Sequence, residues 1–306
     1  MNMSKKSVKL FAETLDIRFA HSGSGRPYVI LHGGAGPASV ATLAEVLAKS
    51  GSVITPTHPG FDGEPRPEWF STIEHLAQAY HALLDQLELR DVVIVGNSVG
   101  GWIAAEMALH ASPRIAAIVL LNAVGIDTGS AGKAIVDPAA LSPAERSALA
   151  FHDPARFAFA PSSPDAAAAM AENQKTLRVY AGNPFMHDPS LKARLAKLPC
   201  PALVVWGESD GIVDVDYGRR FADSIPGARF EIIPRAAHFP QIERLDEVLR
   251  LIREFAPDRG MTRLGENGNR CSINLTPPVP INDPLNYFAS RSACHRRWSS
   301  MKVEMK

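Results

Sequence analysis

Directly after the apolar run Val92-Val93-Ile94-Val95, the chain reads Gly96-Asn97-Ser98-Val99-Gly100-Gly101. This is G-x-S-x-G between a predicted strand and a predicted helix, the setting in which the pattern carries chemistry. The serine has to sit on a tight, strained turn so that its Oγ projects above the sheet. The chain is pressed close there, and only glycine lacks a Cβ that would clash at positions 96 and 100. A serine hydroxyl is a poor nucleophile at neutral pH and needs a base. Most of the ten histidines fit bland roles: His75 and His81 on an amphipathic helix, His110 at a helix end, His152 and His187 in the central stretch. His32 precedes two glycines that read as backbone donors, so its role is read as structural. His238 lies in the loop Pro234–Pro240, between the last predicted strand and the last helix. Open parallel sheets place their sites at that end of a strand. A third group should orient the histidine. Asp210 follows the preceding strand in Trp206-Gly207-Glu208-Ser209-Asp210-Gly211, with Glu208, Asp214 and Asp216 as competitors. An oxyanion needs preorganised donors. The loop His32-Gly33-Gly34-Ala35-Gly36-Pro37 offers bare N–H groups, and Val99, next after the serine, offers another. That loop lacks the Lys-Ser/Thr of a phosphate cradle. A histidine base works only when neutral, so kcat/KM should rise with pH through a histidine midpoint, ordinarily about 6.5. A profile flat from pH ~5 to ~9, with chemistry rate-limiting, would contradict it.

These residues need a scaffold. Residues 8–20 alternate around Glu13-Thr14 and read as two short strands and a turn ending at Gly23-Ser24-Gly25. Apolar runs then alternate with helical patterns. Strands are predicted at 28–31, 53–55, 92–95, 115–121, 202–206 and 230–233, and helices at 39–50, 71–88, 99–111, 214–225 and 241–256. Near-continuous Val/Ile/Leu strands separated by helices indicate a mostly parallel sheet covered on both faces. Between 127 and 199 the rhythm breaks into helical patterns near 142–151, 164–180 and 188–197, without a convincing strand. The predicted division is an α/β core of residues 1–126 and 200–258, a helical insertion at 127–199 and a loosely ordered tail at 259–306. The tail holds four prolines and scattered apolar residues without a period. Ending the chain near Pro257 is therefore expected to leave kcat/KM within a few-fold of the full chain.

Composition narrows the classes. With 32 Lys+Arg against 32 Asp+Glu over 306 residues, there is no electrostatic case for a dedicated nucleic-acid binder. The 46% apolar share excludes disorder of the whole chain, and no run approaches the length of a membrane helix. No apolar stretch follows the basic start, so no secretory signal is read. Cys200, Cys271 and Cys294 give neither a disulfide framework nor a zinc pattern, which favours a reducing, cytoplasmic compartment.

The motifs H-G-G-A-G-P at 32–37, H-P-G-F-D-G at 58–63, G-N-S-V-G-G at 96–101, G-E-S-D-G-I-V at 207–213 and A-A-H-F-P-Q-I-E at 236–243 together resemble the α/β-hydrolase fold, in its capped, esterase-like serine hydrolases. The resemblance spans about residues 8–256. It implies Ser98 as nucleophile, His238 as base and Asp210 as acid, in that family's chain order Ser, Asp, His. It also implies an oxyanion hole from Gly34 and Val99, with Gly33 as the substitute for Gly34, and a cap over residues 127–199. Many relatives have an acid where His58 stands; that loop is structural in the family. The implied protein needs no cofactor or metal. Its partner is a small-molecule ester, with no nucleic acid or membrane, and a homodimer is left open. Ester hydrolysis is the default for a serine in this fold, since haloalkane dehalogenases and epoxide hydrolases use an aspartate there. The alternative is a carbon–carbon bond hydrolase of aromatic meta-cleavage pathways, which this chain resembles at H-G-G-x-G-P and G-N-S-x-G-G. Those enzymes usually have a tryptophan after the histidine, where this chain has Phe239. Proline iminopeptidases typically have one after the serine, where Val99 stands. Some members of the fold are hormone receptors, but an intact triad and oxyanion loop argue for turnover. Phe151, Phe157, Phe159, Phe185 and Met186 suggest an apolar acyl or aryl pocket under the cap.

Overall fold

The computed structural model describes residues 4–127, 135–158, 161 and 163–257. The chain opens with β1 (Ser4–Leu10) and β2 (Leu15–Gly23), followed by β3 (Arg26–Leu31), α1 (Ala41–Leu47), β4 (Gly51–Pro56) and α2 (Ile73–Gln86). Then come β5 (Val92–Asn97), α3 (Val99–Leu109) and β6 (Ile115–Leu121). Helices α4 (Pro143–Ala150), α5 (Pro154–Phe157), α6 (Pro164–Ala181) and α7 (Leu191–Leu195) lie between β6 and β7 (Ala202–Gly207). The described chain closes with α8 (Val215–Asp223), β8 (Arg229–Ile233), α9 (Pro240–Glu243) and α10 (Leu245–Phe255). The predicted tail and Phe159 fall outside the described residues. So do Cys271 and Cys294.

The eight strands form one sheet in the order β1-β2-β4-β3-β5-β6-β7-β8. Pairing is antiparallel from β1 to β4 and parallel across the rest. Both faces of the central strands are buried, so their side chains alternate between two apolar layers rather than between oil and water. Val92 and Ile94 join the layer under α2, α3 and α8, whereas Val93 and Val95 join the layer under α1 and α10. This explains why β5 reads as an unbroken apolar run.

Two boundaries differ from expectation. The predicted helix at 39–50 begins as a single tight turn, Pro37–Val40, before α1. The predicted helix at 241–256 is broken at Arg244 (φ −136°, ψ 50°), which separates α9 from α10. Just before that break, Glu243 turns its carboxylate toward the loop behind it and accepts from Ala237 N–H at 2.7 Å. The helices between β6 and β7 are tied down by specific bonds. Asn173 of α6 exchanges hydrogen bonds with Asp62, receiving from Asp62 N–H at 2.8 Å and donating to Asp62 Oδ1 at 2.9 Å. Thr176 and Tyr180 donate to the carbonyls of Gly60 and Pro59, both at 2.8 Å. The H-P-G-F-D-G loop is thus the seat of α6. Arg194 of α7 grips Glu106 of α3 with two bonds of 2.6 and 2.7 Å.

Candidate active site

The first loop of the site is the turn from β5 into α3. Ser98 takes φ 55°, ψ −120°, a region that costs a non-glycine residue roughly 1–3 kcal/mol. The turn is held by backbone bonds: Ser98 N–H donates to Leu121 O at 2.9 Å, and Gly101 N–H donates to Ser98 O at 2.9 Å. A Cβ on Gly96 would stand 2.2 Å from Gly100 O, and one on Gly100 would stand 2.2 Å from Leu31 O. Both neighbours are backbone and cannot swing aside, which is the steric reason for the two glycines. Val99 is the first residue of α3, where amides have no carbonyl one turn back.

Asp210 and His238 arrive on the loops after β7 and β8. The Asp210 side chain is fully buried and meets His238 Nδ1 at 2.8 Å through Oδ2. Four donors converge on this carboxylate. Ile212 and Val213 N–H reach Oδ1 at 2.8 and 3.1 Å, and Asn122 Nδ2 reaches Oδ2 at 2.7 Å beside the imidazole. An ionised carboxylate only accepts, so Nδ1 must carry the proton and Nε2 is the basic nitrogen. The competitors are elsewhere. Asp214 caps α8 by accepting from Tyr217 N–H at 2.9 Å, and Glu208 and Asp216 are exposed.

Ser98 and His238 line the same cavity, of about 720 Å³, together with Gly34. Gly33 is buried behind it; its carbonyl accepts from His32 Nδ1 at 2.8 Å and Gly36 N–H at 3.1 Å. Of the aromatic and methionine side chains expected at the pocket, Phe151 and Met186 line the cavity. Phe157 and Phe185 pack in apolar clusters instead. The charged residues on the described lining are Arg146, Lys175 and Arg178, with no carboxylate among them. Arg146 donates to Pro138 O at 3.0 Å and Leu141 O at 3.3 Å. Burial pushes the Cys200 thiol up to about 11, which keeps it protonated and unreactive.

Asn122 is missed by the sequence reading. It sits one residue past β6, fully buried, and its Oδ1 accepts from Gly207 N–H at 3.2 Å. The available signal is its place at the carboxyl end of a parallel strand. Its positive φ, 46°, suits asparagine.

Beneath the glycine loop, His32 and His58 stack with ring centres 3.7 Å apart. His58 N–H donates to His32 Nε2 at 3.1 Å, so His32 carries its proton on Nδ1, toward Gly33 O. His58 Nε2 donates to His32 O at 2.9 Å, and its Nδ1 accepts from the Tyr80 hydroxyl. Each ring is thereby fixed as a neutral tautomer. Burial lowers His32 to about 4, opposed by its bond to Gly33, and holds His58 well below the usual range. The unfolded chain binds these protons near pH ~6.5, so the stability they confer is present above that pH and is lost as pH falls toward 4. For His32 alone the loss is about 3 kcal/mol. The urea midpoint is expected to fall between pH 7.5 and 5 while the His32 and His58 ring-proton NMR signals stay at their neutral positions. Titration of either ring near pH 6.5 in the folded protein would contradict this.

A model described as the alpha/beta hydrolase family matches residues 28–251. The 2-hydroxy-6-oxononadienedioate/2-hydroxy-6-oxononatrienedioate hydrolase 1 of Dechloromonas aromatica is 27% identical, covering 82% of this chain and 95% of its own. Among solved structures, a meta-cleavage product hydrolase from Pseudomonas fluorescens aligns with a TM-score of 0.68 at 24% identity, covering 83% of this chain and 97% of that one. A thermophilic esterase from Thermogutta terrifontis aligns at 0.65 and 24% identity, over 82% and 97%. Both structural likenesses show the fold.

Proposed function

Because the chain belongs to the alpha/beta hydrolase family, and the curated relatives it matches are named as hydrolases, we propose that it works through an acyl-enzyme on Ser98. The observation that carries this is the Asp210–His238 pair, fixed in the tautomer that frees Nε2, in one cavity with a serine on a strained turn. Ser98 Oγ attacks a substrate carbonyl while His238 Nε2 takes its proton. Asp210 stabilises the imidazolium through Nδ1–H. The N–H groups of Val99 and Gly34 receive the oxyanion; Gly34 is chosen over Gly33 because it faces the cavity. The carbonyl reforms as the leaving group departs with its electron pair and takes the proton from His238. Water, deprotonated by the same imidazole, then releases the acid and restores Ser98. Within the stretch between β6 and β7, helices α4 and α6 line the cavity and act as the cap that roofs it.

For the bond broken, the reading best supported is a carbon–carbon bond beside a ketone in an acid-bearing dienoate. The Dechloromonas relative's name is that of an enzyme for 6-oxo-dienedioates, and Arg146 on the cavity lining, which donates to the carbonyls of Pro138 and Leu141, suits an anionic substrate. Lys175 and Arg178 on the same lining are already paired with Glu172 and Asp137. For the leaving electron pair to be delocalised the dienol must first ketonise, the 2-hydroxyl proton moving to the carbon beside the 6-ketone. The electron pair left on that carbon then spreads through the remaining double bond onto the 2-oxo oxygen, which takes up the proton from His238. Ester hydrolysis is the second reading, favoured by Phe239 in the place of the usual tryptophan. A panel separates them: p-nitrophenyl esters of rising chain length, one lactone and one 2-hydroxy-6-oxo-dienoate. The expected result is a kcat/KM for the dienoate at least ~100-fold above the best ester, a preference of about 3 kcal/mol. Rapid ester turnover with the dienoate untouched would establish the second reading.

A further inference from the structure

The last acid of the Ala236–Glu243 motif takes no part in the steps above, yet it is buried and fully engaged. Glu243 Oε2 accepts from Ala237 N–H at 2.7 Å, next to the base. Its Oε1 accepts from His152 N–H at 2.8 Å and Asp153 N–H at 3.0 Å, just past α4. The same short stretch makes four further contacts with the loops of the site. Leu149 O accepts from Gly211 N–H at 2.9 Å, beside Asp210. Ala150 O accepts from His238 N–H itself at 3.0 Å. Phe151 stacks on Phe239 with ring centres 5.1 Å apart, and His152 Nδ1 meets Ser209 Oγ at 2.9 Å. Ala150 and Phe151 also form cavity wall.

We propose that Glu243 is a positioning residue for His238. Its carboxylate joins the base loop to residues 149–153, so that the wall touching substrate and the loop carrying the base move as one piece. The proposal rests on the reading of His238 as base and Ser98 as nucleophile. Three N–H groups on one buried carboxylate form a strong, charge-assisted joint that no neutral side chain reproduces. In Glu243→Gln, the amide oxygen can serve only one side. If it faces the two amides at 152 and 153, its NH₂ is set against Ala237 N–H and pushes the base loop away. The reverse orientation leaves both 152 and 153 amides opposed by a donor. A displacement of about 1 Å at a base can cost on the order of 10²-fold in rate.

The test is the rate at which a fluorophosphonate probe labels Ser98 in the full chain, measured against pH and divided by the folded fraction from circular dichroism. In that reaction the Ser98 Oγ–P bond forms, the P–F bond breaks, fluoride leaves and His238 takes the hydroxyl proton. Glu243→Gln is expected to label about 10²-fold more slowly per folded molecule, with its pH midpoint displaced from that of the parent. Glu243→Asp keeps the charge but is one methylene short, and is expected to fall between. A role in folding alone would lower the folded fraction and leave the rate per folded molecule and the midpoint unchanged; that result for both variants overturns the proposal. A parent chain that is not labelled at Ser98 is a different failure. It removes the serine reading and the positioning role with it.

Discussion

A Ser98→Ala enzyme is expected to lose on the order of 10⁵–10⁶-fold in kcat on any substrate the parent turns over. Alanine leaves nothing to form the acyl-enzyme, so what survives is binding, the oxyanion donors and direct attack by water. Loss on this scale is about 7–8 kcal/mol of transition-state stabilisation. Folding should be nearly unaffected, because the elbow is held by the backbone bonds from Ser98 N–H to Leu121 O and from Gly101 N–H to Ser98 O. KM is expected to stay within a few-fold, since the cavity lining is otherwise intact. Steady-state kinetics beside thermal unfolding check this; activity within ~100-fold of the parent would require another nucleophile.

The second large effect falls on Asp210. Asp210→Asn is expected to lower kcat on the order of 10³–10⁴-fold with little change in KM, about 4–5 kcal/mol. The geometry sharpens the usual argument. Oδ1 faces two backbone N–H groups, and Oδ2 faces Asn122 Nδ2 and His238 Nδ1. Whichever way an asparagine amide turns, its NH₂ meets donors already in place. Turned toward Oδ2, it drives the imidazole to the tautomer with its proton on Nε2, where it cannot take one from serine. Asp214→Asn and Asp216→Asn should stay within roughly ten-fold, because one caps a helix, where asparagine serves equally well, and the other is exposed. Collapse of activity at 214 or 216, with 210 tolerant, would reassign the acid.

The parts of this site that are legible in the sequence are those whose chemistry is local. The steric demand at Gly96 and Gly100 and the serine between them lie within one six-residue stretch. Asp210 and His238 are each marked by a loop that follows an apolar run. What joins loops from distant stretches is not legible. Asn122 holds Asp210 across 88 positions, and Glu243 holds His152 across 91. Asn122 stands in no local pattern that singles it out, and Glu243, although it closes the 236–243 motif, shows no partner there; partner and distance appear only once the sheet brings β6, β7 and β8 side by side. The break at Arg244 is hidden for a related reason. The apolar period of 241–256 continues through it, and the amides that Glu243 accepts from just before it, at 152, 153 and 237, lie outside the helix. The His32–His58 pair is visible as two residues near glycine turns. Their mutual stacking and neutral tautomers depend on β3 and β4 being neighbours. The strand order itself, with β4 inserted between β2 and β3, follows from pairings that periodicity does not encode.

The central claim is that Ser98 becomes covalently acylated, and the most direct measurement is covalent capture. The full chain is treated with a fluorophosphonate, its intact mass recorded, and the modified peptide located by fragmentation. One adduct per chain, on Ser98, formed faster as pH rises through the neutral range and absent from Ser98→Ala, is the expected result. An adduct elsewhere, or one that persists in Ser98→Ala, would contradict the account.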